Sequence, residues 1–257
     1  METEVIILAQ GPMGHGNRKF HGAVPTMVLP NCGTTMLSRT IGQSSHFLGH
    51  ASWPIVVTWS DIRIPFNHAR CCGATVTPAY VTLPEPGNSA LKGIARYLEL
   101  REQQGRRYAS TIVLLGDVVY SWACLEAIWN LSRTYGFVGT SDLSLERGEL
   151  WGVAWSREYE DRMLSNLRDA LLRHPLGDEY HPAQLRRWIS GFRRGDLADH
   201  VSKLTRLGAY VPIDDYTHDI DLPMHLVMLP ELSKAAAADD ERHGIVWTDI
   251  KEDSMKT

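Results

Sequence analysis

Residues 5–9 read Val-Ile-Ile-Leu-Ala, an unbroken apolar run rich in β-branched side chains. A run without alternation suits a strand buried on both faces, the condition of an inner strand in a parallel sheet covered by helices. It stops at Gln10-Gly11-Pro12-Met13-Gly14-His15-Gly16-Asn17. Three glycines and a proline continue neither regular structure cheaply, so residues 10–17 form a loop. A doubly buried strand opening into a glycine-rich loop points to an α/β chain with its first loop at the carboxyl edge of the sheet.

The rest of the chain keeps the alternation. Met36 to Gly42 opens a helix, and Pro54-Ile55-Val56-Val57-Thr58-Trp59 is a second strand. Residues 74–83 contain a third. Leu91, Ile94, Ala95 and Leu98 fall at helical spacing within Ser89 to Gln103. Thr111-Ile112-Val113-Leu114-Leu115 is another buried run, closed by Gly116-Asp117. A helix over 124–135 and strands over 137–140 and 148–155 follow. Trp151 and Trp155 share one strand face and read as core. From Glu158 to about Leu207 the pattern is helical, with Met163, Leu164, Leu167, Ala170 and Leu171 on one stripe and Leu185, Trp188, Ile189 and Phe192 on another. Strands alternating with helices predict a Rossmann-like three-layer α/β sandwich with a mostly parallel central sheet. The expected organisation is one domain over 1–233, a helical insertion at about 158–207, and a charged, Ala-rich tail over 234–257.

Composition restricts the partners. Of 257 residues 44% are apolar and 22% charged, which supports a packed core rather than disorder. A net charge of −4 implies no basic face, so nucleic acid is not the expected partner. Arg186, Arg187, Arg193 and Arg194 cluster, as a solvated helix face does. No apolar run is long enough to span a bilayer. The N-terminus lacks a basic leader and cleavage site. Cys32, Cys71, Cys72 and Cys124 have neither metal-site nor disulfide-framework spacing. Reduced thiols in a cytoplasm are the simplest account.

Four stretches carry chemistry. The loop from Gln10 offers backbone N–H groups that can cradle phosphate, with Arg18 and Lys19 beside it to meet negative charge. No Gly-Lys-Ser/Thr follows, so it is not a P-loop, and a purely structural glycine loop accounts for it equally. Asp117 stands just past a buried strand, where a carboxylate can meet a metal-bound phosphate or simply cap a turn. Asp214-Asp215-Tyr216-Thr217-His218-Asp219-Ile220-Asp221 places four acids in eight positions. If extended, Asp219 and Asp221 point one way and could complete a metal site with Asp117; otherwise the segment is a solvated loop. Pro86-Gly87-Asn88-Ser89 ends a loop with an N-cap residue, and its polar groups could also meet a base. His15 and His21 bracket the first loop. His46, His50 and His68 have no metal spacing, and no nucleophile-elbow serine or Cys–base pair is present.

Together these stretches resemble the nucleotidyltransferase-like family, which includes the sugar-phosphate nucleotidylyltransferases and shares its fold with GT-A glycosyltransferases. The resemblance lies in Val5-Ile6-Ile7-Leu8-Ala9-Gln10-Gly11, then Arg18, Pro25-Thr26-Met27-Val28-Leu29-Pro30, and Gly33-Thr34-Thr35-Met36-Leu37-Ser38-Arg39-Thr40-Ile41. Pro86-Gly87-Asn88-Ser89-Ala90 resembles the family's base-facing loop. Leu114-Leu115-Gly116-Asp117 resembles its metal strand, and Asp219-Ile220-Asp221-Leu222-Pro223 a late metal segment. The family's Pro-Lys stands here as Pro25-Thr26, and its compact first loop is longer.

The resemblance implies a nucleotide-diphospho-sugar transferase type of fold. It implies nucleotide contacts from Leu8, Ala9, Gln10, Gly11, Gly14, Gly16, Gly87, Asn88 and Ser89. It also implies phosphate neutralisation by Arg18 and Lys19, and Mg²⁺ held by Asp117 with Asp219 or Asp221. The expected reaction moves a nucleotidyl group from an NTP to a phosphorylated small molecule, a sugar phosphate first, and releases pyrophosphate. Alternatives on the same scaffold are a glycosyltransferase using a nucleotide sugar and a non-catalytic nucleotide-binding module. Oligomeric state stays open, a homo-oligomer included.

Overall fold

A computed structural model describes residues 2–9, 27–49, 55–59, 69–71, 74–76, 79–82, 90–140, 150–173, 197–220 and 223–247. In chain order the first half comprises β1 (Thr3–Leu8), β2 (Val28–Leu29), β3 (Thr34–Thr35), α1 (Met36–Phe47), β4 (Ile55–Trp59), β5 (Ala69–Cys71), β6 (Ala74–Val76), β7 (Ala79–Thr82) and α2 (Ala90–Gln103). Then follow β8 (Ser110–Leu115), β9 (Val118–Val119), α3 (Trp122–Leu131), β10 (Tyr135–Thr140), β11 (Leu150–Ser156), α4 (Glu160–Arg173), α5 (Leu197–Arg206), β12 (Tyr210–Ile213), β13 (His218–Asp219), a 3-10 turn (Pro223–Val227) and α6 (Leu229–Arg242).

The apolar runs become the inner strands. Val5, Ile6, Ile7 and Leu8 are buried, as is all of β8. Burying such side chains stabilises the fold by roughly 1.5–3 kcal/mol each. A seven-stranded sheet runs β12-β10-β11-β8-β1-β4-β7. β1 is parallel to β4 and β8, β4 to β7, and β10 to β12, while β11 is antiparallel to both β8 and β10. The sheet is therefore mostly parallel, with one reversed strand.

Parity along the strands gives the layers. Val5, Ile112 and Leu114 pack with Ser44 and Phe47 of α1 and with Leu125, Ile128 and Trp129 of α3. Glu4 and Thr111, of opposite parity, meet α2: Arg101 donates to both and Tyr97 donates to Glu4. Arg101 also pairs with Glu160 of α4. Helices thus cover both faces, which makes the three-layer sandwich expected from the strand–helix alternation.

A second, smaller apolar cluster lies beyond the carboxyl edge. It joins Leu29, Cys32, Met36, Val119, Ile220, Leu229, Leu232 and Ala236. The Ala-rich stretch from 234, expected as a charged tail, thus continues helix α6 in the structure. Ala236, Asp239 and Asp240 form its buried side, while the charges that look tail-like, Lys234, Glu241 and Arg242, face water. The expected helix over 124–135 is α3, which stops at Leu131, so that Tyr135 already opens β10. Helices α4 and α5 begin and end the expected helical segment; residues 174–196, with the second apolar stripe, lie outside the described residues.

Candidate functional site

The strand order reverses at β1. The chain runs from β1 outward through β4 to β7, then returns to place β8 on the other side of β1. Such a switch point leaves a crevice at the carboxyl ends of the two strands, the usual ligand position in open α/β sheets. Register aligns those ends: Leu8 lies opposite Leu115 and also opposite Thr58. The Gly116 N–H donates to the Leu8 carbonyl at 2.8 Å. A Cβ at 116 would lie 3.0 Å from that oxygen and 3.1 Å from the Ala9 Cα. Glycine is thus what lets the two strand exits touch, and it puts Asp117 beside Ala9.

Asp117 occupies the turn between β8 and β9 and is half-buried. Tyr120 fixes this turn from beneath. Its ring is fully buried, its oxygen accepts the Leu115 N–H at 2.8 Å, and its hydroxyl donates to the Trp151 carbonyl. Burial, more than any neighbour, drives the Tyr120 phenol well above its ordinary value. The charges of Cys124, Asp117 and Asp219 push the same way, against a backbone hydrogen bond at Leu115. Both aspartates therefore bear on one phenol.

The acidic segment reaches Asp117 through a short ladder. β13 pairs antiparallel with β9, His218 opposite Val119 and Asp219 opposite Val118. The Ile220 N–H donates to the Asp117 carbonyl at 2.9 Å. Asp219 is only 5% exposed. The segment's acids are otherwise used differently. Asp214 is exposed, whereas Asp215 accepts the Ser121 hydroxyl and the Thr217 N–H at 2.5 and 2.7 Å. Ser121 caps α3 through the Cys124 N–H at 2.9 Å, and Asp239 takes the Trp122 N–H at 3.0 Å. The first turn of α3 is therefore already capped from within the protein.

The structure brings four of the sequence-predicted site residues, Leu8, Ala9, Asp117 and Asp219, to one corner of the sheet. Gln10, Gly11, Gly14, Gly16, Arg18, Lys19, Gly87, Asn88, Ser89 and Asp221 lie outside the described residues. So do His15, His21, His50, His68 and the arginine cluster at 186–194. Asp117 and Asp219 offer hard carboxylate oxygens of the type magnesium prefers. Among the described residues no three or more His, Cys, Asp or Glu gather into a metal cage. Sequence reasoning passed over Tyr120, Tyr216 and Asp239, which hold the site from behind. The tyrosines' sequence signal is an aromatic three residues after Asp117 and another three before Asp219, and Asp239 has none.

No protein-family model matches this chain, and no curated protein matches it in sequence. Solved structures do. A protein of Bacillus anthracis assigned as a glucose-1-phosphate thymidylyltransferase, solved in complex with sucrose, matches over 91% of this chain and 96% of its own, with a TM-score of 0.52 and 14% identity. The CTP:phosphocholine cytidylyltransferase of Streptococcus pneumoniae matches over 90% of this chain and 99% of its own, with a TM-score of 0.51 and 12% identity. Both are nucleotidyltransferases, and at such identity what this chain shares with them is the fold: a mostly parallel central sheet with flanking helices.

Proposed function

We propose that this chain is a nucleotidyltransferase that moves a nucleotidyl group from an NTP to a phosphorylated small molecule, a sugar phosphate first, and releases pyrophosphate. The observation that carries the proposal is the corner where β1 and β8 end. There Leu8 and Ala9, Asp117 and the Asp219 ladder meet at the switch point of the sheet. The two solved proteins of this fold act, by their names, on glucose 1-phosphate and on phosphocholine. That favours a phosphorylated acceptor here.

On this reading the backbone of Gly11 to Gly16 receives the triphosphate next to Leu8 and Ala9. Arg18 and Lys19 neutralise the departing pyrophosphate, and Gly87, Asn88 and Ser89 face the base. Asp117, with Asp219 or Asp221, would hold Mg²⁺. Two carboxylates suit an ion that completes its shell with phosphate oxygens and water. When bound it supplies charge neutralisation between the phosphates. Phosphoryl chemistry of this kind depends on positioning and charge more than on a strong base. With Cys32 and Cys124 free thiols, the reading places the protein in a reducing cytoplasm.

The test is pyrophosphate release from each of the four NTPs with a panel of sugar phosphates, with and without Mg²⁺. One NTP should be consumed, and only with metal. Asp117→Asn should lower turnover on the order of a thousandfold with the fold intact, because metal charge stabilisation is worth several kcal/mol. Near-normal turnover in that variant would remove the site. Consumption of an NDP-sugar instead would favour glycosyl transfer, the reading that Pro25-Thr26 in place of Pro-Lys leaves room for. Binding indifferent to Mg²⁺ would favour a non-catalytic module.

A further inference from the structure

The segment that carries Asp219 pairs with β9 and is tied to the cap of α3 through Ser121. A further grip comes from α1 and α6. Arg39 of α1 is 1% exposed, and a guanidinium so placed must have every N–H directed. Its Nε and Nη2 donate to the two carboxylate oxygens of Asp240 in α6, at 2.8 and 2.7 Å. Asp240 also accepts the indole N–H groups of Trp122 and Trp247, at 2.8 and 2.7 Å. What remains of Arg39 reaches two backbone stretches. Nη1 donates to the Tyr120 carbonyl, and Nη2 lies 3.3 Å from the Tyr216 hydroxyl. That hydroxyl donates in turn to Asp239 at 2.6 Å.

The spacing of these contacts gives them meaning. Tyr120 comes three residues after Asp117, and Tyr216 three residues before Asp219. Between the two anchors run β9 and β13, paired antiparallel and closed at the far end by Ile220 and Asp117. The ladder that joins the Asp219 backbone to the turn of Asp117 is thus clamped at its base by α6, through Asp239, Asp240 and Arg39.

We infer that Tyr216 is a positioning residue for the Asp117–Asp219 pair, the joint through which the C-terminal helix sets the geometry of the proposed metal site. The inference rests on the metal-dependent reading proposed above. It assigns α6 a task in the site through Asp239 and Asp240, whose partners are Tyr216, Trp122 and Arg39.

Tyr216→Phe tests it, because that change keeps the ring and removes only the hydroxyl. Asp240→Asn is less useful, since it weakens the partner of a buried guanidinium and threatens the fold. In the full-length Tyr216→Phe protein the Mg²⁺ concentration giving half-maximal turnover should rise about tenfold, the size of one hydrogen bond to a charged acceptor. Turnover at saturating Mg²⁺ and the nucleotide KM should stay within about twofold of wild type. Amide exchange at Ile220 should accelerate about tenfold, and exchange at Ile7 should not change. An unaltered Mg²⁺ dependence together with unaltered Ile220 exchange overturns the inference and leaves the proposed function standing. If the wild-type protein shows no metal dependence, the function reading fails, and exchange at Ile220 alone decides whether α6 positions the ladder.

Discussion

At the scale of single residues the corner depends on what Gly116 lacks. Any Cβ there presses on the Leu8 carbonyl and the Ala9 Cα, both main-chain atoms that a rotamer change does not relieve. Gly116→Ala should therefore cost about 1–3 kcal/mol as overpacking, read from urea denaturation midpoints. It should also lower turnover beyond that loss, because the two strand exits are forced apart. A variant as stable and active as wild type would show that the contact has slack. Gly116 and Asp117 are legible in the sequence because they end a run whose burial is evident from composition alone. Arg39 is not legible in the same way. Its partner Asp240 lies 201 residues away, and only the folded chain shows that they meet. Tyr216 and Asp239 are hidden for the same reason.

At the scale of elements the sequence speaks where periodicity is long enough to be heard. β1 has an unbroken apolar run of five residues, β8 one of four and α2 a stripe of four, and each stands where its pattern predicts. β9 and β13 have two residues each and therefore no period, yet their pairing brings Asp219 to Asp117. Helix α6 misleads for another reason. Its Ala and acid content reads as a solvated tail, but Asp239 and Asp240 point inward to Tyr216, Trp122 and Arg39. Removing one partner of a buried ion pair costs about 3–5 kcal/mol, since the other charge is left uncompensated. Asp240→Ala should show that loss in chemical denaturation. Lys234→Ala, on the exposed side of the same helix, should stay within about 0.5 kcal/mol. Equal effects from the two would return the segment to the status of a tail.

At the scale of the whole molecule, the reversal of strand order at β1 follows from no local signal. Alternation of strands and helices predicts layers, but which neighbour β8 chooses is settled by how the faces close. Glu4 on one side of β1 is matched to Tyr97 and Arg101, and Val5 on the other to α1 and α3. A core closed in this way also sets the response of the molecule to alkali. Burial raises the Cys32 thiol to about 11, against a smaller pull from Arg39. Burial raises Cys124 and Tyr97 further still; the charge of Asp215 adds to the first and that of Glu4 to the second. Each folded value lies above the unfolded one. Stability from these groups is therefore complete below the ordinary thiol and phenol range, and it is lost as pH rises through the folded values. Above about pH 9 the unfolded chain releases protons that the folded chain keeps, so the bound-proton difference is negative and stability falls with pH. A group caught between its two values contributes about 1.4 kcal/mol per pH unit. Urea midpoints should accordingly be insensitive to these groups up to about pH 8.5 and drop between about pH 9 and 11. Over the same lower range iodoacetamide should modify Cys32 and Cys124 only in unfolded protein. Rapid alkylation of either thiol in the folded state at about pH 8.5, or a midpoint level to pH 11, would mean that water reaches a core the packing says is closed.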